Sequence, residues 1–138
     1  MRLQVVCALA AAVFALSACT KKSETSAEVQ RDVAKAQADA QRDVADARAD
    51  VQEANADADR DVAKAIADHD EDDVAKAAHD ANETADKGKA KIRLAQAEAA
   101  HKVAVEKCEA LSGAPQKECK DDADKTLEQE KHAAKAEQ

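Results

Sequence analysis

The residue pattern predicts an all-α fold: a long single or coiled-coil-like helix followed by a disulfide-stapled helical hairpin. Three observations carry this. The 138-residue chain has only 2 glycines and 1 proline, so it is poor in the residues that turn or break a helix. Alanine with scattered valine recurs at spacings of three and four residues, with Asp, Arg, Lys and Gln on the opposite side, which is the period of a helix. Near the end, Gly113 and Pro115 stand between Cys108 and Cys119, the arrangement of two helices joined by a stapled turn.

The first element is not part of that fold. Arg2 precedes an apolar stretch from Val5 to Leu16, and the small residues Ser17 and Ala18 lead to Cys19. A charged head, an apolar segment too short to span a bilayer stably and small residues before a cut make residues 1–18 a secretory signal. An ordinary signal has no use for a cysteine just after its cut. Leu16-Ser17-Ala18-Cys19 resembles the bacterial lipobox. That resemblance implies that the Cys19 thiol is alkylated by diacylglycerol and that Cys19 opens the mature chain, with residues 19–25 as a lipidated linker. Several acyl chains hold firmly where one is marginal, since each buried methylene contributes about 0.8 kcal/mol. Thr20 follows the cysteine, where the lipoprotein retention signal for the inner membrane is aspartate. The implied address is the inner leaflet of the outer membrane, facing the periplasm.

The rod comes next. Thr25 with Glu28 reads as a capping box that starts a helix near Ser26. Gln30-Arg31-Asp32-Val33-Ala34-Lys35-Ala36 returns as Gln41-Arg42-Asp43-Val44-Ala45-Asp46-Ala47 and again as Asp59-Arg60-Asp61-Val62-Ala63-Lys64-Ala65. Steps of seven and eleven residues between valines are close to whole helical turns, so one face gathers Val29, Val33, Ala36, Ala40, Val44, Ala47, Val51, Ala54, Ala58, Val62 and Ile66. With Gly88 taken as the stop, the helix covers residues 26–87 and spans roughly 90 Å at 1.5 Å per residue. Its stripe has two readings. It packs on a copy of itself or on another helix, or it stays solvated while alanine propensity and opposite charges support a single helix.

The hairpin fills residues 88–138, with helices near 89–111 and 115–135. Gly113 suits a helix end and Pro115 the first turn of the next. Cys7 leaves with the signal and Cys19 with the lipid, so Cys108 and Cys119 remain as a pair, and an exported chain meets an oxidising compartment. A structural disulfide there contributes roughly 2 to 4 kcal/mol. The spacing is not Cys-x-x-Cys and no histidine sits close, which disfavours a redox dithiol or a metal pair.

Composition excludes several functions. Phe14, the only aromatic residue, lies in the signal, so the mature chain has no stacking platform for nucleic acid. From Glu24 to Asp86 there are 19 acidic and 7 basic side chains, which argues against direct binding of nucleic acid or anionic head groups. Asp68-His69-Asp70-Glu71-Asp72-Asp73 with His79 is rich in metal-ligand types, and His69 and Asp73 would share one helix face. Ligands on a single helix do not converge from several directions, so no specific metal site is expected. Lys87, Lys89, Lys91 and Arg93 could meet an acidic rod or another polyanion, although a solvated helix end is the simpler reading. No paired nucleophile and base and no phosphate-binding loop is present, so no catalysis, cofactor or small-molecule substrate is expected.

The mature chain resembles the alanine-rich helical lipoproteins of Gram-negative envelopes, similar to the murein (Braun-type) lipoprotein in its Cys19 and in Asp50-Val51-Gln52-Glu53-Ala54, and to the stalk of TolA-like proteins. The resemblance does not extend to covalent wall attachment, because the chain reads Lys135-Ala136-Glu137-Gln138 where the murein lipoprotein ends in lysine. It implies a non-enzymatic, lipid-anchored helical spacer of the cell envelope whose partners are the membrane, through its anchor, and another helix of its own kind or of an envelope protein. The charged eleven-residue repeat also looks like that of late-embryogenesis-type protective proteins, which implies the alternative: a stress-protective or chaperone-like chain that is disordered until it dries or meets a partner.

Overall fold

The computed structural model describes residues 24–137, and these form three helices: α1 (Ser26–Ala67), α2 (Glu71–Cys108) and α3 (Ala114–Ala136). Residues 1–23, which include the segment expected to be a signal and Cys19, lie outside the described residues, as does Gln138. Among the described residues there is no strand, and no helix is long and apolar enough to cross a membrane.

The start of α1 is the capping box read from Thr25 and Glu28. The Glu28 backbone N–H donates to Thr25 Oγ1 at 3.3 Å, and the Thr25 N–H donates to the Glu28 carboxylate at 2.8 Å. Two backbone donors that the helix cannot satisfy are thereby paired. The Thr25 N–H first, and then the Thr25 hydroxyl, which donates to the same carboxylate oxygen at 2.8 Å, hold the Glu28 carboxyl below its ordinary range.

The helix does not run to Lys87. It ends at Ala67, and the expected 26–87 rod is two helices separated at Asp68-His69-Asp70. His69 takes a left-handed backbone, φ 59°. Asp70 then caps α2, its carboxylate accepting from the N–H groups of Asp72 at 3.0 Å and Asp73 at 3.2 Å. Glu71, Asp72 and Asp73 fill the first turn, where negative charge meets the positive end of the helix dipole. The chain therefore reverses. Asp50 pairs with Lys91 at 2.7 Å and Asp43 with Lys102 at 2.6 Å, so residues rising along α2 meet residues falling along α1. The 42 residues of α1 make a hairpin arm of about 63 Å in place of the longer rod.

The stripe of α1 packs on the chain's own α2. Val29, Ala40, Ala47 and Val51 are buried, and Val33, Ala36, Val44, Ala58 and Val62 are partly covered. The stripe drifts near the turn, where Ala65 is buried and Ile66 is 55% exposed. Gly88, expected as a stop, lies inside α2 and is buried. A Cβ there would stand 2.6 Å from Val51 Cγ1, so glycine is what lets the two backbones approach at this level.

A second face of α2, with Ala90, Leu94, Ala97, His101 and Cys108, receives α3. In helical steps back from Ala90 the same face carries Glu83, His79, Lys76 and Asp72, all exposed, and has nothing apolar to cover. Helix α3, with 23 residues, pairs only with the part of α2 that carries this apolar face. Helix α2 thus lies between α1 and α3, which do not touch each other. The stapled hairpin stands as expected in its second arm, while its first arm is the C-terminal part of the longer α2, ending at Cys108.

Candidate functional site

The disulfide sits where the two arms of the hairpin begin. Gly113, at φ 68°, turns the chain into α3, Pro115 lies in the first helical turn, and the Lys117 N–H donates to the Gly113 carbonyl at 3.2 Å. Cys108 and Cys119 are bonded, with their Cα atoms 5.7 Å apart and Cys108 only 1% exposed. Polar partners continue the seam. Gln116 Nε2 donates to Glu109 at 2.6 Å, and Lys120 also bonds Glu109. His101 Nε2 lies 2.6 Å from Asp124 Oδ1, a pairing between helices that the sequence offers no means to foresee.

A histidine oriented by a carboxylate suggests a dyad, but its neighbours are otherwise engaged. The two sulfurs in this groove are bonded to each other, and the Thr126 hydroxyl donates to the Asp122 carbonyl at 2.9 Å. What the arrangement does is hold α3 on α2.

The basic cluster is likewise spent within the fold. Lys87 pairs with Glu83 at 2.6 Å, Lys89 with Asp86 at 2.8 Å and Lys91 with Asp50 on α1. Arg93 bonds Glu130 at 2.9 Å and also Glu137, clamping the end of α3. Those two hydrogen bonds, to Glu130 and then Glu137, raise the Arg93 pKa further; the bond to Asp86 does the same for Lys89, and the Lys87 hydrogen bond lowers Glu83. The run expected as a solvated helix end is matched by acidic partners within the chain, Asp50 on α1 and Glu130 on α3 among them.

The acidic run also divides. Its Asp70 to Asp73 portion builds the cap, and His69, in the turn, shares no helix face with Asp73. His79 instead joins Asp80 and Glu83, whose ligand atoms all fall within 4.8 Å of one another. All three are exposed on one helix and Lys87 already holds Glu83, so nothing closes a coordination sphere.

Among the grooves that the described residues form, two lie side by side along α2. The first, between α1 and α2, has Val44 and Val103 on its walls; the second, between α2 and α3, has Ala123 and Leu127. They share Ala100 and Ala104 as a low ridge. Comparison of the chain with protein-family models, with curated proteins and with solved structures finds no match.

Proposed function

We propose that this chain is a non-enzymatic, lipid-anchored helical protein of the bacterial cell envelope, held through Cys19 and placed on the periplasmic face of the outer membrane. The observation that carries the reading is Leu16-Ser17-Ala18-Cys19 directly after the apolar run from Val5 to Leu16. The geometry adds support of a different kind. The titratable groups that a site would use serve as caps, staples and bridges between helices, and this suits a part that holds distance or presents a surface better than one that transforms a ligand. The spacer is shorter than a continuous rod, about 63 Å for the 42 residues of α1.

Mass spectrometry of the mature N-terminus tests it. A chain beginning at Cys19 and carrying the mass of diacylglycerol supports the reading, and Cys19→Ala should leave an uncleaved or mislocalised precursor. An unmodified start at any other residue refutes it. The protective reading draws on one observation, the thinness of the seam: Cys108 is the largest side chain that is fully buried among the described residues. Circular dichroism separates the two, because a spacer gives strong helicity with a cooperative thermal transition and a conditionally disordered chain gives a coil spectrum in water.

A further inference from the structure

The antiparallel packing of α1 on α2 puts the α2–α3 turn beside the start of α1. Val51 meets Gly88, and the same register carried along both helices brings residues 24–29 level with residues 110–115. Glu24 bears this out: its carboxyl is held above the ordinary range by loss of water and then by the carboxylates of Asp32, Glu109 and Glu106. Leu111, at the apex of that turn, is 42% exposed and is one of two large apolar side chains exposed among the described residues. The segment from Cys19 to Glu24 reaches at most about 18 Å when fully extended. A lipid on Cys19 therefore tethers the molecule by the end that carries Leu111, Ala114 and Pro115.

The opposite end is of another character. Between Asp57 and Glu83 the chain has 10 acidic and 3 basic side chains, gathered around the turn at His69. Lying flat would bring that charge within a Debye length, about 8 to 10 Å, of an anionic bilayer. Standing upright keeps it about 60 Å away, the length of α1.

We propose that the α2–α3 turn is a membrane-contacting surface, with Leu111 entering the interface of the bilayer to which Cys19 is anchored, and that the molecule stands end-on with its acidic α1–α2 turn farthest from the lipid. The proposal rests on the lipidation of Cys19 proposed above. It reverses the arrangement a straight rod would have, in which the disulfide hairpin is carried away from the membrane.

The mature chain has no aromatic residue, so a single introduced tryptophan reports without background. Leu111→Trp and Ile66→Trp each place it at an exposed position, one at either end of the molecule. The full lipidated chain is bound to vesicles of phosphatidylethanolamine and phosphatidylglycerol containing lipids brominated on their acyl chains. The expected result is a blue-shifted emission and loss of fluorescence for Leu111→Trp, with Ile66→Trp unchanged from its value in vesicles without bromine. Equal quenching of both, stronger quenching of Ile66→Trp, or no quenching of either while the protein floats with the vesicles overturns the end-on placement. Failure of the purified chain to float at all overturns the anchor reading, and the placement with it.

Discussion

A methyl group added at Gly88 would meet Val51 Cγ1 at 2.6 Å, and valine in a helix has one strongly preferred rotamer with which to yield. Two effects of Gly88→Ala oppose each other. Helix propensity favours alanine by about 1 kcal/mol, while overpacking a seam costs typically about 1 to 3 kcal/mol. The contact is with a stiff side chain that is itself buried between α1 and α2, so overpacking is expected to win and the thermal midpoint to fall. Val51→Ala should cost less in the Gly88→Ala background than alone, because the atom in the way is then gone. A rise in midpoint for Gly88→Ala alone would mean that the seam has slack at this level. At the same scale Asp70 shows how a residue can be legible in type and misread in role. An aspartate followed by three more acidic residues is the signature of a helix start, yet in an unbroken run of charge it reads as a solvated face or a ligand cluster. Gly88 reads as a stop for a comparable reason, since nothing local tells that Val51 will lie opposite.

The hairpin of α2 and α3 draws on the disulfide more than the pairing of α1 and α2 does. Cys108 and Cys119 are 11 residues apart, and in the chain-entropy model a loop of that size contributes about 3 kcal/mol. Because α1 and α3 share no contact, reduction should raise hydrogen exchange in α3 and leave α1 and the N-terminal half of α2 protected. Equal loss of protection in all three helices would show one cooperative unit instead. The elements themselves were largely readable: the capping box at Thr25, the turn at Gly113 and Pro115, and the cysteine pair each follow from residues close in sequence. The reversal at His69 was not. Alanine periodicity continues on both sides of it, and three residues of turn interrupt the pattern too briefly to break it. Of the candidate site residues, Cys108 and Cys119 were legible because two cysteines flanking a Gly113 and Pro115 turn have one bland use. The His101 and Asp124 pairing was not, because it depends on the register of two helices.

For the molecule as a whole, pH acts through exposed pairs. Hydrogen bonds hold the carboxyls of Glu28, Glu83 and Glu128 low, from Thr25, Lys87 and Lys131 in turn. Their contribution is present above the unfolded glutamate value of ~4.3 and is lost as pH falls through the lower folded values. Lys89, Lys102, Lys125 and Lys131 are held high by hydrogen bonds to Asp86, Asp43, Asp122 and Glu128. Theirs is complete below ~10.4 and is lost as pH rises through the folded values. Thermal midpoints followed by circular dichroism should show a plateau between two shallow limbs, and high salt should weaken both, since exposed pairs are screened. A midpoint that climbs steadily toward acid would contradict this. The claim on which the whole account turns is the reversal of the chain between α1 and α2. Zero-length carbodiimide coupling, read by mass spectrometry on a mixture of isotope-labelled and unlabelled protein, tests it most directly. The account predicts links from Asp43 to Lys102 and from Asp50 to Lys91 within single chains, as their 2.6 Å and 2.7 Å pairings require. Absence of both links, or links found only between labelled and unlabelled chains, would contradict it and return the molecule to a straight rod or an exchanged pair of rods.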